Sequence, residues 1–266
     1  MSGRGALAGR VMVEIERGLK GYARYRAWLV SDLVSWPFWT MFFFFSILMY
    51  SPDLLKSQYH LNALTWSFFS FILVSSFTWA ANSLSTSIQE GILENVLVSG
   101  GSVRLHVTGR IVISLLDFAI GGPFLLLISA VSFGTNITVA RPELMVPALI
   151  QAIAFLYLFS SVLSIMLIAL RSPWIVLNVV QFAVPFTSGA IPVEVLPPDL
   201  RAALTYSPFF YIIHPIVASA TGNFYLHPYQ LFLTGFVVVL SLAVLGVWLE
   251  KALMRRALMR GRFSLF

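Results

Sequence analysis

The chain has 266 residues, of which 58% are hydrophobic and only 11% are charged. Soluble globular domains carry roughly 25% charged residues, so this composition excludes an ordinary soluble domain and predicts one membrane-embedded, all-α unit. The formal net charge is +6, and the lack of cysteine excludes disulfides, thiolate metal sites and cysteine nucleophiles.

An amphipathic helix is the first predicted element, and it covers residues 1–27. Apolar side chains recur along it at steps of three and four residues, at Val11, Ile15, Leu19, Tyr22, Tyr25 and Leu29. Glu14, Arg17, Lys20 and Arg24 lie off this stripe. A basic amphipathic helix before a first span is typical of a segment that lies in the cytoplasmic membrane interface. The alternative is a solvated basic tail that only enforces the topology.

Six apolar runs predict six transmembrane helices, because a spanning helix needs about 20 mostly apolar residues. Five runs meet this length, at residues 28–50, 61–82, 110–133, 144–170 and 229–248. The sixth, at residues 174–191, is shorter and lies between Arg171 and a proline-rich stretch. No small-residue cleavage site follows the first run, so we expect this run to stay in the protein.

The distribution of lysine and arginine predicts the orientation. With six spans, the side that holds both termini collects fourteen of the 17 basic residues, and the other side collects Lys56, Arg141 and Arg201. Cytoplasmic loops carry an excess of basic residues, so we expect a plasma-membrane protein with both termini in the cytoplasm. The positive charge then reports topology, and no nucleic-acid partner is expected.

The segment between the fifth and sixth spans, residues 192–228, is predicted to form a re-entrant or interfacial pair of short helices on the outer face. Its apolar run at 206–220 contains Pro208 and Pro215, and it is too short to cross a membrane. A full span there would also place the basic C-terminal tail outside, against the distribution expected for basic residues.

A polar island, EGILENVLVS at residues 90–99, lies in the predicted cytoplasmic loop 84–108 between the second and third spans. As a helix, this stretch would carry an apolar face, while Glu90 and Glu94 would share another face at a spacing of four residues. Like charges at that spacing destabilise an isolated helix, so a basic partner would relieve them. The alternative is a solvated turn whose charges serve solubility.

Two stretches together resemble the ABC-2 type permeases, which are the membrane subunits of type V ABC exporters. The first is the stretch 90–99 followed by Arg104 and a new span, which is similar to the family pattern E-x-G-T-L-E-x-L-L. The second comprises SGAIP at 188–192, EVLPP at 194–198 and YSP at 206–208. This sequence departs from the pattern in three ways: Glu90 and Gly91 are adjacent, Ile92 stands where threonine is usual, and Gly100 and Gly101 replace a proline region.

The resemblance implies a single permease domain over residues 1–266 that exports an amphipathic or lipid-linked substrate, such as a drug, a lipid or a polysaccharide. It implies two protein partners in the lipid membrane: an ATP-binding cassette ATPase that holds ATP and Mg²⁺, and a second permease subunit, identical or different. The coupling helix that docks into the ATPase would comprise Glu90, Gly91, Ile92, Leu93, Glu94, Val96 and Leu97. The outer re-entrant segment would use Ser188, Gly189, Pro192, Leu196, Pro197 and Pro208.

The motifs of membrane enzymes are missing from the chain. It has neither HExxH nor GxSxG, and each of its three lysines follows a leucine or a glutamate. Without a Gly-Lys pair there is no phosphate-binding loop, so ATP hydrolysis and its cofactors are expected on the partner, and no metal site is expected on this chain. An intramembrane enzyme is the most distant interpretation. The main alternative is a stand-alone secondary transporter or channel that an ion gradient drives.

Two acidic residues are predicted to lie within spans, Asp32 near the start of the first and Asp117 about two turns into the third. A carboxylate at the centre of a span costs roughly 2.5–3.5 kcal/mol on insertion scales. Both residues are predicted to lie shallower than the centre. They either gate the pathway or contact substrate, or they pair with an arginine near the cytoplasmic side or face a wet interface. The amides of Gln151, Asn178 and Gln181 are predicted to form interhelical hydrogen bonds.

Overall fold

The computed structural model describes residues 3–24, 26–50, 56–92, 95, 103–168, 173–193 and 196–259. These residues form helices and connecting turns without a strand, which confirms the predicted helical fold class. The helices are α1 (Gly3–Arg24), α2 (Arg26–Tyr50), α3 (Gln58–Gln89), α4 (Val103–Phe133), α5 (Pro142–Ile168), α6 (Pro173–Thr187), α7 (Pro198–Leu204), α8 (Phe210–Thr221) and α9 (Pro228–Met259).

Proline marks the first residue of four of these helices. Pro142, Pro173, Pro198 and Pro228 begin α5, α6, α7 and α9. The fixed φ of proline suits the first helical position, where its missing N–H would have no partner within the helix. These prolines in the sequence therefore set where four of the helices begin.

Four helices of the described part are long and apolar enough to cross a membrane. They coincide with four of the six predicted spans, and their apolar parts are Gln58–Leu84, Leu105–Phe133, Pro142–Leu167 and Pro228–Leu249. Helix α2 occupies the predicted first span with 25 residues. Helix α6 occupies the short predicted span with 15 residues, about 22 Å, which is less than the roughly 30 Å of a bilayer core. The helices indicate a multi-pass membrane protein.

Helix α3 is the centre of the bundle and packs against α4, α5, α6 and α8. In its most apolar stretch 89% of the residues are buried, whereas the corresponding share is 17% for α9. Buried hydroxyl groups on α3 donate to the carbonyl oxygen one turn earlier, at Thr65, Ser67, Ser70 and Thr78. Such bonds allow hydroxyl side chains to lie in an apolar core without an unpaired polar group.

Polar side chains also join α5 to its neighbours. Gln151 donates to the Phe232 carbonyl oxygen of α9 at 3.3 Å, an interhelical bond of the kind that the sequence predicts for this amide. Ser160 donates to the Phe77 carbonyl oxygen of α3 at 2.7 Å. These bonds satisfy polar groups that would otherwise face lipid or an apolar core.

Helix α8 is short and buried, and it does not cross the bundle. At its start, the Phe209 ring packs edge-on against Phe155 of α5 with ring centroids 5.6 Å apart. At its end, the Ala220 carbonyl oxygen accepts from the Ala140 N–H at 3.0 Å, just before α5 begins. Helix α8 therefore starts inside the bundle and returns to the end at which α3, α5 and α9 begin. We name this the α8 end, and we name the opposite end, where α3 finishes, the α1 end.

The loop between α4 and α5 is fastened to α3 at the α8 end. Gln58 donates to the Gly134 carbonyl oxygen and accepts from the Asn136 N–H. Asn62 donates to the Thr138 carbonyl and hydroxyl oxygens at 3.2 and 3.1 Å and accepts from the Thr138 N–H at 3.2 Å. Since the same loop pairs with the end of α8, it fixes α8 relative to α3.

Candidate functional site

Helix α3 ends in a turn at Glu90 and Gly91 of the first motif, which we name the corner. The Glu90 N–H donates to the Thr86 carbonyl oxygen at 3.0 Å, and Gly91 adopts the left-handed conformation with φ +67°. Helices often end with such a glycine because it lacks the Cβ atom that disfavours this conformation. Ile92 and Asn95 are helical again after this turn.

The predicted coupling helix at residues 90–97 lies only partly within the described residues. Glu90 and Gly91 form the turn, and Ile92 is the first helical residue after it. Because Glu90 lies in the corner, its spacing of four residues to Glu94 no longer implies a shared helical face. The other members of the predicted set, Leu93, Glu94, Val96 and Leu97, lie outside the described residues.

His106 joins three helices where the predicted loop 84–108 leaves the bundle. Its Nδ1 lies 3.2 Å from Glu14 Oε2 on α1, and its Nε2 lies 3.0 Å from Ser87 Oγ on α3. A neutral ring with its proton on Nδ1 donates to the carboxylate and accepts from the hydroxyl group. The side chains of His106 and Glu14 are 2% and 11% exposed, so this contact is sealed between α1, α3 and α4.

Helix α1 packs against the start of α4 through two glycines. A Cβ atom at Gly109 would lie 3.1 Å from the Glu14 carbonyl oxygen, and one at Gly18 would lie 2.9 Å from Ile113 Cγ1. The face that carries Glu14 and Gly18 therefore belongs to the protein interior, whereas Met12 on another face is 67% exposed. The helix predicted for the membrane interface is thus also docked on the bundle.

The serine–glycine pair of the second motif forms the turn that ends α6. Ser188 Oγ donates to the Pro185 carbonyl oxygen at 2.9 Å, and Gly189 has φ +64°. A Cβ atom at Gly189 would lie 2.8 Å from Phe210 Cδ2 and 3.2 Å from His214 Cβ on α8. Glycine at this position therefore lets the end of α6 rest directly on α8.

His214 is the buried polar centre of this contact. Its ring stacks on Phe210 with ring centroids 4.7 Å apart. Its Nδ1 lies 3.4 Å from the Gly189 carbonyl oxygen, and its Nε2 accepts from the Tyr225 N–H at 3.5 Å. Burial lowers the pKa of His214 to about 4, so the ring is neutral near physiological pH.

The remaining residues of the second motif shape the chain between α6 and α8. Pro192 is buried, and Pro197 precedes the first turn of α7. The Leu196 carbonyl oxygen accepts from Arg201 Nε at 2.6 Å, and the Pro197 carbonyl oxygen accepts from the Arg201 N–H at 3.0 Å. Pro208 is exposed in the turn before α8. The second motif therefore builds a structural cap at the α8 end.

The two acidic residues predicted within spans lie on different helices. Asp32 lies on α2 and Asp117 on α4. Asp117 is half-buried, and it is the fifteenth residue of a helix of 31. Helix α4 begins at Val103, before the predicted span, which starts at residue 110. An ionisable side chain inside a span is costly in lipid and generally faces the bundle interior or a watery cavity, and both interpretations of Asp117 stay predictions.

A groove between α3 and α6 contains side chains that the motifs do not include. Trp79 of α3 and Trp174 of α6 meet edge to face with ring centroids 5.3 Å apart, and both remain about half exposed. Asn178 and Gln181 of α6 line the same groove. Within the described part of the chain these two amides have no hydrogen-bond partner, unlike Gln151. Trp174, Asn178 and Gln181 follow one another at steps of four and three residues, which predicts a shared face of α6 but does not identify α3 as its neighbour.

Neither metal ligands nor known relatives assign a chemistry to these sites. Among the described residues, no three His, Cys, Asp or Glu side chains are grouped so that they could hold a metal ion. His106 lies at the α1 end and His214 in the cap at the α8 end, so these histidines serve separate contacts. In comparisons with known proteins, no protein-family model matches the chain and no curated protein matches it.

Proposed function

We propose that this chain is a permease subunit of an ABC exporter of the ABC-2 type, and that it moves an amphipathic or lipid-linked substrate out of the cell. A separate ATP-binding cassette ATPase binds ATP and Mg²⁺ and supplies the energy. A second permease subunit completes the pathway. Closure of the ATPase pair would push on the corner after α3 and switch the pathway between its states.

The corner at Gly91 carries this proposal. It ends α3 at the α1 end, and the motif that resembles the permease coupling helix falls on this corner. Glu90 and Asn95 are exposed there, as a segment that meets a soluble partner requires. Burying one Leu or Ile side chain is worth about 1.5–3 kcal/mol, so Ile92, Val96 and Leu97 would supply most of the docking energy.

In this proposal α2 and α6 complete six spans together with the four long apolar helices. The α1 end then faces the cytoplasm, and the α8 end faces outside. Because the chain has no cysteine, single substitutions can be labelled without background. In intact cells, Ser2→Cys and Ser264→Cys should resist an impermeant thiol reagent, while Ser57→Cys should react. Labelling of Ser264→Cys from outside would contradict this topology.

The groove between α3 and α6 is the surface that we assign to the substrate. Trp79 and Trp174 offer aromatic area, while Asn178 and Gln181 offer donors and acceptors without a partner in the described chain. A largely apolar pocket with a few polar groups suits an amphipathic molecule. A second subunit opposite this face would enclose the pathway.

Substitutions in the coupling segment test the proposal. Val96→Ser combined with Leu97→Ser should weaken retention of the ATPase more than Glu90→Gln does, since an exposed ion pair gives under about 1 kcal/mol. Glu90→Gln should mainly reduce transport-stimulated ATP turnover. Expression and membrane insertion should stay normal, because the segment is not part of a span. Full ATPase binding and transport by the double serine variant would end the coupling assignment.

An ion-driven secondary transporter is the second candidate, and the position of Asp117 favours it. Ionisable residues inside spans often belong to ion pathways. Transport by sealed vesicles separates the two functions. Uptake that requires ATP and continues after ion gradients are dissipated supports the exporter. Uptake that needs no ATP and stops when ion gradients are dissipated supports the ion-driven transporter.

A further inference from the structure

We propose that His106 is the positioning residue that makes α1 and the corner after α3 move as one body. The functional meaning of this inference rests on the proposed function, because the corner is where the ATPase would act. The contacts that carry it are those of one imidazole ring with a carboxylate on α1 and a hydroxyl group on α3.

The first part of the argument is the position of the Ser87–His106 bond. Ser87 lies in the last turn of α3, three residues before Glu90, and His106 lies in the first turn of α4. The 3.0 Å contact between them joins the end of α3 to the start of α4, and we name these two helix ends the neck. A force on the segment that connects the two helices therefore reaches both helix ends through this bond.

The second part is the continuation of the bond to α1. The same ring contacts Glu14 through its other nitrogen at 3.2 Å, and both side chains are almost fully removed from solvent. Buried polar groups that lose a partner are strongly destabilised. Neither Glu14 nor His106 can move away without leaving the other unsatisfied, so the neck and α1 are tied through one residue.

Charges around the ring reinforce the same connection. Arg110, one turn after His106, interacts electrostatically with Glu14 and Arg17 on α1 and with Glu90 at the corner. Glu14 and Glu90 attract it, while Arg17 repels it. Arg110 also lines one small cavity together with Glu14, Arg17 and His106.

Nitroxide labels on the full chain in lipid nanodiscs test the inference. One label is attached at Asn95→Cys just after the corner, one at Ala23→Cys on α1, and a reference label at Asn136→Cys at the α8 end; all three positions are exposed. His106→Leu should remove the immobile spectral component of the first two labels and leave the reference label unchanged. His106→Gln, whose amide can donate and accept, should restore part of that component.

Variants that remove only one of the two contacts of His106 separate a positioning role from a general loss of structure. Ser87→Ala should mobilise the Asn95→Cys label alone, and Glu14→Leu should mobilise the Ala23→Cys label alone. His227→Leu, which alters an exposed histidine at the other end, is the matched control and should change neither. If His106→Leu does not fold, Ser87→Ala still decides: an unchanged label at Asn95→Cys would overturn the inference. So would a folded His106→Leu variant with two immobile labels.

A second measurement separates this inference from the proposed function. In a purified complex with the ATPase, ATP should change the Ala23→Cys spectrum, and His106→Leu should abolish that change while the ATPase remains bound. A chain that retains no ATPase would refute the proposed function, and the nanodisc spectra would still decide the role of His106. If ATP still changes the Ala23→Cys spectrum in the His106→Leu variant, only the positioning role of His106 is refuted.

Discussion

Replacing Gly189 by alanine tests whether the end of α6 is seated on α8. Gly189 has φ +64°, and an added Cβ atom would lie 2.8 and 2.9 Å from two carbons of the Phe210 ring. Phe210 is fully buried, and its ring is stacked on His214. The ring cannot withdraw into solvent, so the substitution has to displace α6 or α8.

The expected loss has two parts. A left-handed conformation costs a residue with a Cβ atom about 1–2 kcal/mol, and overpacking a well-packed core costs typically about 1–3 kcal/mol. Together they give about 2–5 kcal/mol, which is a large part of the roughly 5–15 kcal/mol that stabilises a typical protein. The cap at the α8 end should be the first part of the structure to be destabilised.

The chain provides a matched control in Gly134. It has φ +62°, but a Cβ atom there would meet no heavy atom within 4 Å. Gly134→Ala should therefore lose only the backbone part, and thermal unfolding in nanodiscs should place its transition between those of wild type and Gly189→Ala. Phe210→Leu should partly rescue Gly189→Ala, which a double-mutant cycle would show as coupling. Equal transitions for the two alanine variants would refute the close contact.

Three further predictions concern the loop, the buried histidine and the corner. Asn62→Leu removes three hydrogen bonds to Thr138, each worth about 0.5–1.5 kcal/mol. It should lower the unfolding temperature and expose the Ala140 amide to hydrogen exchange. Unchanged exchange would contradict the role of Asn62 in fastening the loop. The pKa of His214 is about 4 in the folded protein, below its ordinary value of 6.5, so the unfolded state binds a proton more readily. The free energy of unfolding should therefore be constant above pH 6.5 and should fall as the pH drops from 6.5 toward 4, by about 2 kcal/mol at about pH 5. The unfolding transition of His214→Gln should lack this pH dependence. Gly91→Ala should disturb the corner and reduce ATPase retention more than Gly91→Asn, because asparagine tolerates the left-handed conformation, and equal retention would argue against the corner geometry.

The sequence predicts those parts of the fold that depend on local composition. Long apolar runs locate α3, α4, α5 and α9 because lipid selects for them directly. The prolines around residues 192–228 similarly predict short helices, and α7 and α8 are found there. In each case the deciding information lies within a few turns of the element itself.

The helix limits at the α1 end are less predictable. Hydropathy detects only the apolar part of α4, whereas the helix begins at Val103 and continues through Arg104, His106 and Arg110. His106 of this polar stretch contacts both α1 and α3, and such tertiary contacts can override the local pattern.

Contacts between distant residues could not be predicted from one sequence. His106 meets Glu14 across 92 positions of the chain, and no spacing rule relates the two. The groove of Trp79 and Trp174 likewise requires α3 and α6 to be neighbours. The glycine of each motif was predicted as a motif member, but its left-handed conformation and its neighbours are seen only in the fold.

Site-specific crosslinking at the corner tests the central claim most directly. A photoreactive amino acid at Asn95, which is exposed, would be activated in native membranes, and the crosslinked protein would be identified by mass spectrometry. A matched probe at Asn136, at the α8 end, serves as the control. The account predicts that the Asn95 probe alone captures a protein with a GxxxxGK[ST] phosphate-binding loop. Capture of such an ATPase by the Asn136 probe instead, or no ATPase at Asn95 in membranes that transport the substrate, would contradict it.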